Sequence, residues 1–114
     1  MEDRIHFLNT RQDMREYAKA YEYIIVKFTA PWCQPCKNIN PLFKELFLKL
    51  PEKFICVVVN IDNGKDLSNA LRIRSVPTFL NFIKGNMEDV CVGSNKEQLI
   101  DFFKKSQQRY INSS

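Results

Sequence analysis

Two cysteines stand two residues apart in FTAPWCQPCKNINP, Phe28 to Pro41, with a tryptophan before them and a proline between them. A pair at this spacing can be a structural staple, half of a metal site or a redox reagent. As a staple it does little: closing so short a loop is worth only about 2 kcal/mol in the chain-entropy picture, and less where a helix already orders the residues. Structural zinc asks for four ligands, commonly from two such pairs. Beyond Cys33 and Cys36 the chain offers only His6 and two isolated cysteines, Cys56 and Cys91, each inside an apolar run, so no metal site is expected. The reagent reading needs a helix that starts at the pair. Cys33 then falls at or just before the first turn, where free N–H groups and the helix dipole favour an anion. That lowers the thiol pKa, and the thiolate is the reactive form. Cys36 lies one turn further on, on the same face, within reach of Cys33. Pro35 suits a first turn, where its missing N–H is harmless, and Trp32 sets a flat apolar surface beside the sulfur. A second residue with chemical potential is Lys27, inside the greasy run YIIVKFTA. Such a lysine snorkels, finds an acid, or loses its proton.

The elements that would position these residues are legible as patterns. RIHFL (Arg4 to Leu8) reads as a short first strand. Thr10 with Asp13 forms a capping pair, and Met14, Tyr17, Ala18 and Tyr21 then recur at helical spacing. Tyr23 to Ala30 reads as a strand buried on both faces. After the cysteines, Ile39, Leu42, Phe43, Leu46, Phe47 and Leu50 make one apolar stripe opposite Lys44, Glu45 and Lys49, and Pro41 is expected to kink that helix. Phe54 to Asp62 is a third strand, Lys65 to Ile73 a short helix, and Pro77 to Ile83 a fourth strand. A turn at Lys84-Gly85-Asn86 leads into a fifth, Met87 to Val92. Ser94 and Glu97 predict a capping box for a last helix carrying Leu99, Ile100, Phe102 and Phe103, with the tail from about residue 106 to 114 expected to fray. The order βαβαβαββα predicts an α/β fold, a central mixed five-stranded sheet flanked by four helices.

Composition excludes several classes. The 114 residues are 45% apolar and 26% charged, which fits one domain, 1–114, with a core of its own. The +4 formal charge is spread among acids as in KNINPLFKEL, without the dense basic stripe of a nucleic-acid binder. The greasiest run, FICVVV, has strand length and is far too short to span a bilayer. MEDRIHFLNTR lacks the apolar core of a secretory signal, so the expected location is cytoplasmic, with no membrane partner.

Taken together, FTAPWCQPCK, SVPTF, FIKGN and VGSNKEQL resemble the landmarks of the thioredoxin family almost from end to end. The resemblance implies a thioredoxin fold and a protein-disulfide reductase that acts as an electron carrier. Cys33 would attack a substrate disulfide and Cys36 would resolve the mixed disulfide. It implies a cis bond before Pro77 and a substrate groove of Trp32, Gln34, Ser75, Val76, Val92 and Gly93. An extended peptide would pair there with the backbone of Val76. The implied partners are disulfide-containing proteins and a thioredoxin reductase, an NADPH-dependent flavoprotein that resets the pair; no cofactor is expected on the chain itself. Ser75 stands where some animal members carry a dimer-forming cysteine, so that route is missing and a monomer is expected.

Two departures bear on mechanism. Gln34 stands where typical members have glycine, so it either alters the redox potential or is a tolerated exposed variant. Lys27 stands where the family carries a buried aspartate behind the second cysteine, and Val58 where that aspartate's lysine partner is often found. A charged Lys27 near Cys36 would favour its thiolate and make the protein more oxidising; a neutral one could act as a base; a snorkelling one would only pack its stem. An oxidase- or isomerase-like variant and a thioredoxin-fold binding module in a larger assembly therefore stand as alternatives. Cys56 reads as a small buried hydrophobe, Cys91 as a packed strand cysteine ahead of a regulatory or dimer-forming thiol, His6 as surface or first-strand packing, and Asp62 with Asn63 as a turn at the end of the third strand.

Overall fold

The computed structural model describes residues 2–113. Strands β1 (Ile5–Phe7), β2 (Tyr23–Thr29), β3 (Phe54–Asn60), β4 (Thr78–Ile83) and β5 (Asn86–Val92) form one sheet in the order β1-β3-β2-β4-β5. The first three run parallel, whereas β4 is antiparallel to β2 and β5 to β4. Helices α1 (Arg11–Ala20), α2 (Gln34–Leu48) and α3 (Lys65–Ala70) connect the first four strands and α4 (Lys96–Ser113) follows β5, giving the expected βαβαβαββα order and thioredoxin-type sheet. Among the described residues no helix is long and apolar enough to cross a membrane.

Alternation along the strands divides the core in two. Ile25, Cys56, Val58 and Phe79 point to one face, where they meet Ile39, Phe43 and Phe47 of α2 and Leu99, Phe102 and Phe103 of α4. Ile24, Val26, Phe28, Val57, Val59 and Leu80 point to the other, towards Met14 of α1 and Leu67 of α3. Burial on both faces is why β2 and β3 read as continuous apolar runs. The stripe predicted for α2 is borne out, and α2 continues through Pro41. Pro41 is exposed, as is Lys37, the residue whose carbonyl loses its helical donor.

Local signals set most boundaries. Thr10 caps α1 by accepting from the Asp13 N–H at 3.1 Å. Lys84 (φ 51°) and Gly85 (φ 87°) form a two-residue hairpin with Ile83 paired to Asn86. Positive φ at both positions matches the strand twist, and the strand therefore resumes at Asn86, one residue before the sequence suggested. His6 lies on the α1 side as expected for first-strand packing, its Nδ1 2.9 Å from the Tyr17 hydroxyl.

Three expectations are corrected. Helix α3 stops at Ala70, three residues short of Ile73, because Arg72 turns into the left-handed region at φ 58°. The cap of α4 is Asn95, whose side chain accepts from the Gln98 N–H at 2.9 Å, in place of the Ser94–Glu97 box. The largest correction concerns the tail from 106 onward, which does not fray: α4 runs to Ser113. Ser106 is fully buried and accepts from Asn81 Nδ2 at 2.9 Å. Arg109 holds Asp89 through two bonds, of 2.7 and 3.1 Å. The Tyr110 ring packs edge-on to Tyr23, centroids 4.9 Å apart, and Tyr23 Oη meets Ser113 Oγ at 2.6 Å. These partners lie on β2, β4 and β5, far away along the chain.

Candidate functional site

The carboxyl ends of the parallel strands carry the site. β2 ends at Thr29, and the chain turns through Ala30-Pro31-Trp32 into α2. Cys33 is the N-cap of α2, in extended conformation, with its own N–H on the Ala30 carbonyl at 3.1 Å. Its Sγ accepts from the Cys36 N–H at 3.1 Å, one of the free donors of a helix start. Any charge on this sulfur is thus stabilised by a directed N–H and by the helix dipole together. Gln34 and Pro35 occupy the first turn, as the missing N–H of proline allows. Cys33 and Cys36 are joined as a disulfide, Cα atoms 5.3 Å apart.

Around the pair, Ala30, Cys33 and Cys36 form a small apolar cluster closed by Ile61 and Val76. The Val76-Pro77 peptide bond is cis, and the Val76 carbonyl oxygen lies 3.7 Å from Cys33 Sγ. The segment before β4 is tied down by Thr78 Oγ1 donating to the Ser75 carbonyl at 2.8 Å. Gly93, at φ 96°, donates its N–H to the Pro77 carbonyl at 2.9 Å. These bonds tie Ser75 to Thr78 and Gly93 to Pro77, and within that segment the Val76 carbonyl lies against the disulfide. Both sulfurs are largely covered in this oxidised state, whereas Trp32 is 66% exposed and Val92 56%.

Trp32 is oriented by a partner that sequence reasoning treated as a bare turn. Its indole Nε1 donates to Asp62 Oδ2 at 3.1 Å. Asp62 in turn is held by its N–H on Asn60 Oδ1 at 2.9 Å. Asp62 and Ile61 follow β3 directly, and the Ile61 N–H bonds to the Thr29 carbonyl at 3.0 Å. The signal was positional: residues just past the end of a parallel strand face the site at the end of its neighbour.

Gln34 is exposed and its amide donates to Asn38 Oδ1, 2.8 Å away on the same helix. Lys27 lies on the α2 side of the sheet, half-buried, with Val58 and Phe79 as its neighbours across the strands. It has neither snorkelled freely nor found an acid: its Nζ donates to Asn40 Oδ1 at 2.9 Å and lies 4.7 Å from the centre of the Phe43 ring. Burial pulls its pKa below the ordinary lysine value, opposed by the nearby Cys56 and reinforced by Lys44. Cys56 is buried, and burial pushes its thiol up to about 11, opposed by Lys27 and Arg4. Burial also raises the Cys91 thiol. Both cysteines are unpaired and packed in the core, as expected of small hydrophobes.

Known proteins carry the same arrangement. A profile of the Thioredoxin family matches residues 6–105. Thioredoxin H5 of Oryza sativa subsp. japonica is 38% identical over 104 residues, which is 90% of this chain and 73% of that protein. Among solved structures, Plasmodium falciparum thioredoxin superposes with a TM-score of 0.79 at 27% identity, covering 88% of this chain and 97% of that one. The reduced thioredoxin pre-protein of Schistosoma mansoni does so with a TM-score of 0.77 at 31% identity, covering 89% and 96%. A disulfide at the start of α2, a tryptophan in front of it and a family match over most of the length lead to one conclusion: the chain belongs to the thioredoxin family and is a thiol–disulfide oxidoreductase of the protein-disulfide reductase type, with Cys33 and Cys36 as its dithiol/disulfide pair.

Proposed function

We propose that Cys33 is the attacking sulfur and Cys36 the resolving one. The supporting observation is the bond from the Cys36 N–H to Cys33 Sγ at the first turn of α2, which favours a thiolate at Cys33 over one at Cys36. In the reduced protein the Cys33 thiolate attacks one sulfur of a substrate disulfide. A mixed disulfide forms and the second substrate sulfur leaves as a thiolate, which takes up a proton. Cys36 then loses its proton and attacks Cys33 Sγ, and the first substrate sulfur leaves and is protonated. Two electrons and two protons have passed to the substrate, and the Cys33–Cys36 bond seen here is the product.

The substrate chain would lie across Trp32, Gln34, Ser75, Val76, Val92 and Gly93. The position of Val76 supports this reading: its carbonyl lies 3.7 Å from Cys33 Sγ, so that an extended peptide could pair with Val76 as an added strand beside the sulfur. Electrons would return from an NADPH-dependent flavoprotein, a thioredoxin reductase. The chain would work as a monomer on protein disulfides in the cytoplasm, a setting in which the thiols of Cys56 and Cys91 stay reduced.

Reduction of insulin disulfides with dithiothreitol as electron source tests the reading. Wild type should turn over many times, and Cys33→Ser should be inactive. Pre-reduced Cys36→Ser, freed of dithiothreitol before mixing, should stop as a mixed disulfide with the substrate through Cys33. A variant lacking Cys33 that still turns over would sink the assignment. Activity confined to refolding of scrambled substrates would favour an oxidase- or isomerase-like role.

A further inference from the structure

Edge strand β5 leaves one face uncovered. Met87, Val90 and Val92 pair with Phe82, Leu80 and Thr78 of β4, and so belong to the face that α1 and α3 cover further across the sheet. On β5 that cover is missing: the three are 48%, 53% and 56% exposed. They are three of the seven large apolar side chains exposed among the described residues, so they form a patch and are not scatter. Opposite them runs the segment between α3 and β4. Leu71 and Ile73 face the patch across a cavity of about 310 Å³ floored by Leu80.

The rim of this cavity is basic. Arg72 and Arg74 are both exposed and both line it, and no carboxylate does. The acids of β5 itself are engaged elsewhere, Glu88 and Asp89 both on Arg109 of α4. Two further lining residues, Ser75 and Val92, also belong to the proposed substrate groove. The cavity is thus the continuation of that groove beyond Val76, apolar at its base and positive at its lip.

We propose that this cavity takes the flank of a disulfide substrate, and that the protein selects disulfides whose neighbouring residues combine an apolar side chain with Asp or Glu. The selection rests on the reductase reading and adds to it a substrate class. Apolar side chains cover Met87, Val90 and Ile73, while carboxylates meet Arg72 and Arg74. Charge on such a rim acts on encounter and discrimination more than on the chemical step.

The test uses pre-reduced protein in single turnover against three peptides that share one internal disulfide. Their flanks carry Glu-Leu-Asp-Val, Gly-Ser-Gly-Ser or Lys-Leu-Arg-Val. Neutral 2-hydroxyethyl disulfide, too small to reach the cavity, reports the chemistry alone. The acidic peptide should react about fivefold faster than the basic one at low salt, as two exposed ion pairs allow, and this ratio should approach one at about 0.5 M salt. Arg72→Glu with Arg74→Glu should reverse the preference. Met87→Ser with Val90→Ser should raise the half-saturating concentration of both Leu-Val peptides and leave the limiting single-turnover rate in place. Neither double variant should change the rate with hydroxyethyl disulfide. Equal rates for acidic and basic peptides, or a ratio unmoved by the arginine swaps, would overturn the proposal. So would sedimentation showing a dimer that Met87→Ser with Val90→Ser dissociates, since the patch would then belong to a second copy. Loss of Cys33-dependent reduction of hydroxyethyl disulfide is a different failure: it removes the reductase reading and the selectivity with it.

Discussion

Lys27 Nζ donates to Asn40 Oδ1 at 2.9 Å, and Asn40 lies one turn of α2 beyond Cys36. A cation that the sequence left with three possible fates is therefore held behind the active-site helix by a carboxamide and the face of Phe43. If its charge reaches Cys36, it lowers the pH at which the resolving sulfur ionises. The rate of resolution, followed by decay of a mixed disulfide, should then shift to higher pH in Lys27→Met. Superimposable profiles would remove Lys27 from the mechanism.

The same residue carries a stability prediction of definite sign. Burial lowers the Lys27 pKa in the folded protein, so between the folded and unfolded pKa values the unfolded chain binds more protons and stability rises with pH. Below that window the charged lysine is a net cost. Lys27→Met should therefore raise stability at neutral pH by on the order of 1 kcal/mol, with the gain shrinking as pH climbs towards the model-peptide value of 10.5. Thermal unfolding of both proteins across pH reads this directly.

Gln34 is exposed and its side-chain amide is engaged along the helix surface with Asn38. Its effect on the dithiol–disulfide balance should be small. Gln34→Gly is expected to move the midpoint potential by less than about 10 mV in equilibration with glutathione, where about 30 mV corresponds to 1.4 kcal/mol. A larger change would show that the side chain acts on the pair after all.

Arg72 holds φ at 58°, a region that costs a non-glycine residue on the order of 1 kcal/mol. Arg72→Gly should raise the urea midpoint by a corresponding amount. Arg72→Val, with a branched Cβ, should lower it. Both remove the same charge, so a difference between them isolates backbone strain from electrostatics.

Asp89 is held below the ordinary carboxylate range chiefly by its hydrogen bond to Arg109, with help from Asn81 and against the opposing effect of burial. A depressed pKa contributes stability that is present above the unfolded value of about 3.9 and lost as pH falls through the folded one. Asp89→Asn should therefore be less stable than wild type at pH 7, and the two should converge in acid. In the same acid range, hydrogen exchange should show the last two turns of α4 opening first, because the carboxylates of Asp89 and Glu88 join Arg109 to β5 and both are protonated there.

By itself the sequence determined the features that depend on neighbours along the chain. Cys33 and Cys36 lie a turn apart, the apolar stripe of α2 follows helical period, and the burial of β2 and β3 shows as unbroken apolar runs, because each is set within a few residues. The cap of α4 came out one residue early because Ser94 and Asn95 are both good caps, and only the path of the chain leaving β5 chooses between them. What lay beyond reach was every feature whose partner is distant. SQQRYINSS has weak local pattern, yet Tyr23, Asn81 and Asp89 hold its first eight residues in place. Asp62 sits in the turn that the sequence marked, but only the sheet brought it under Trp32, and Lys27 had no visible partner until α2 packed across β2 and supplied Asn40. Local spacing is written into the order of residues; long-range pairing depends on which surfaces meet when the sheet closes, and tertiary packing alone decides that.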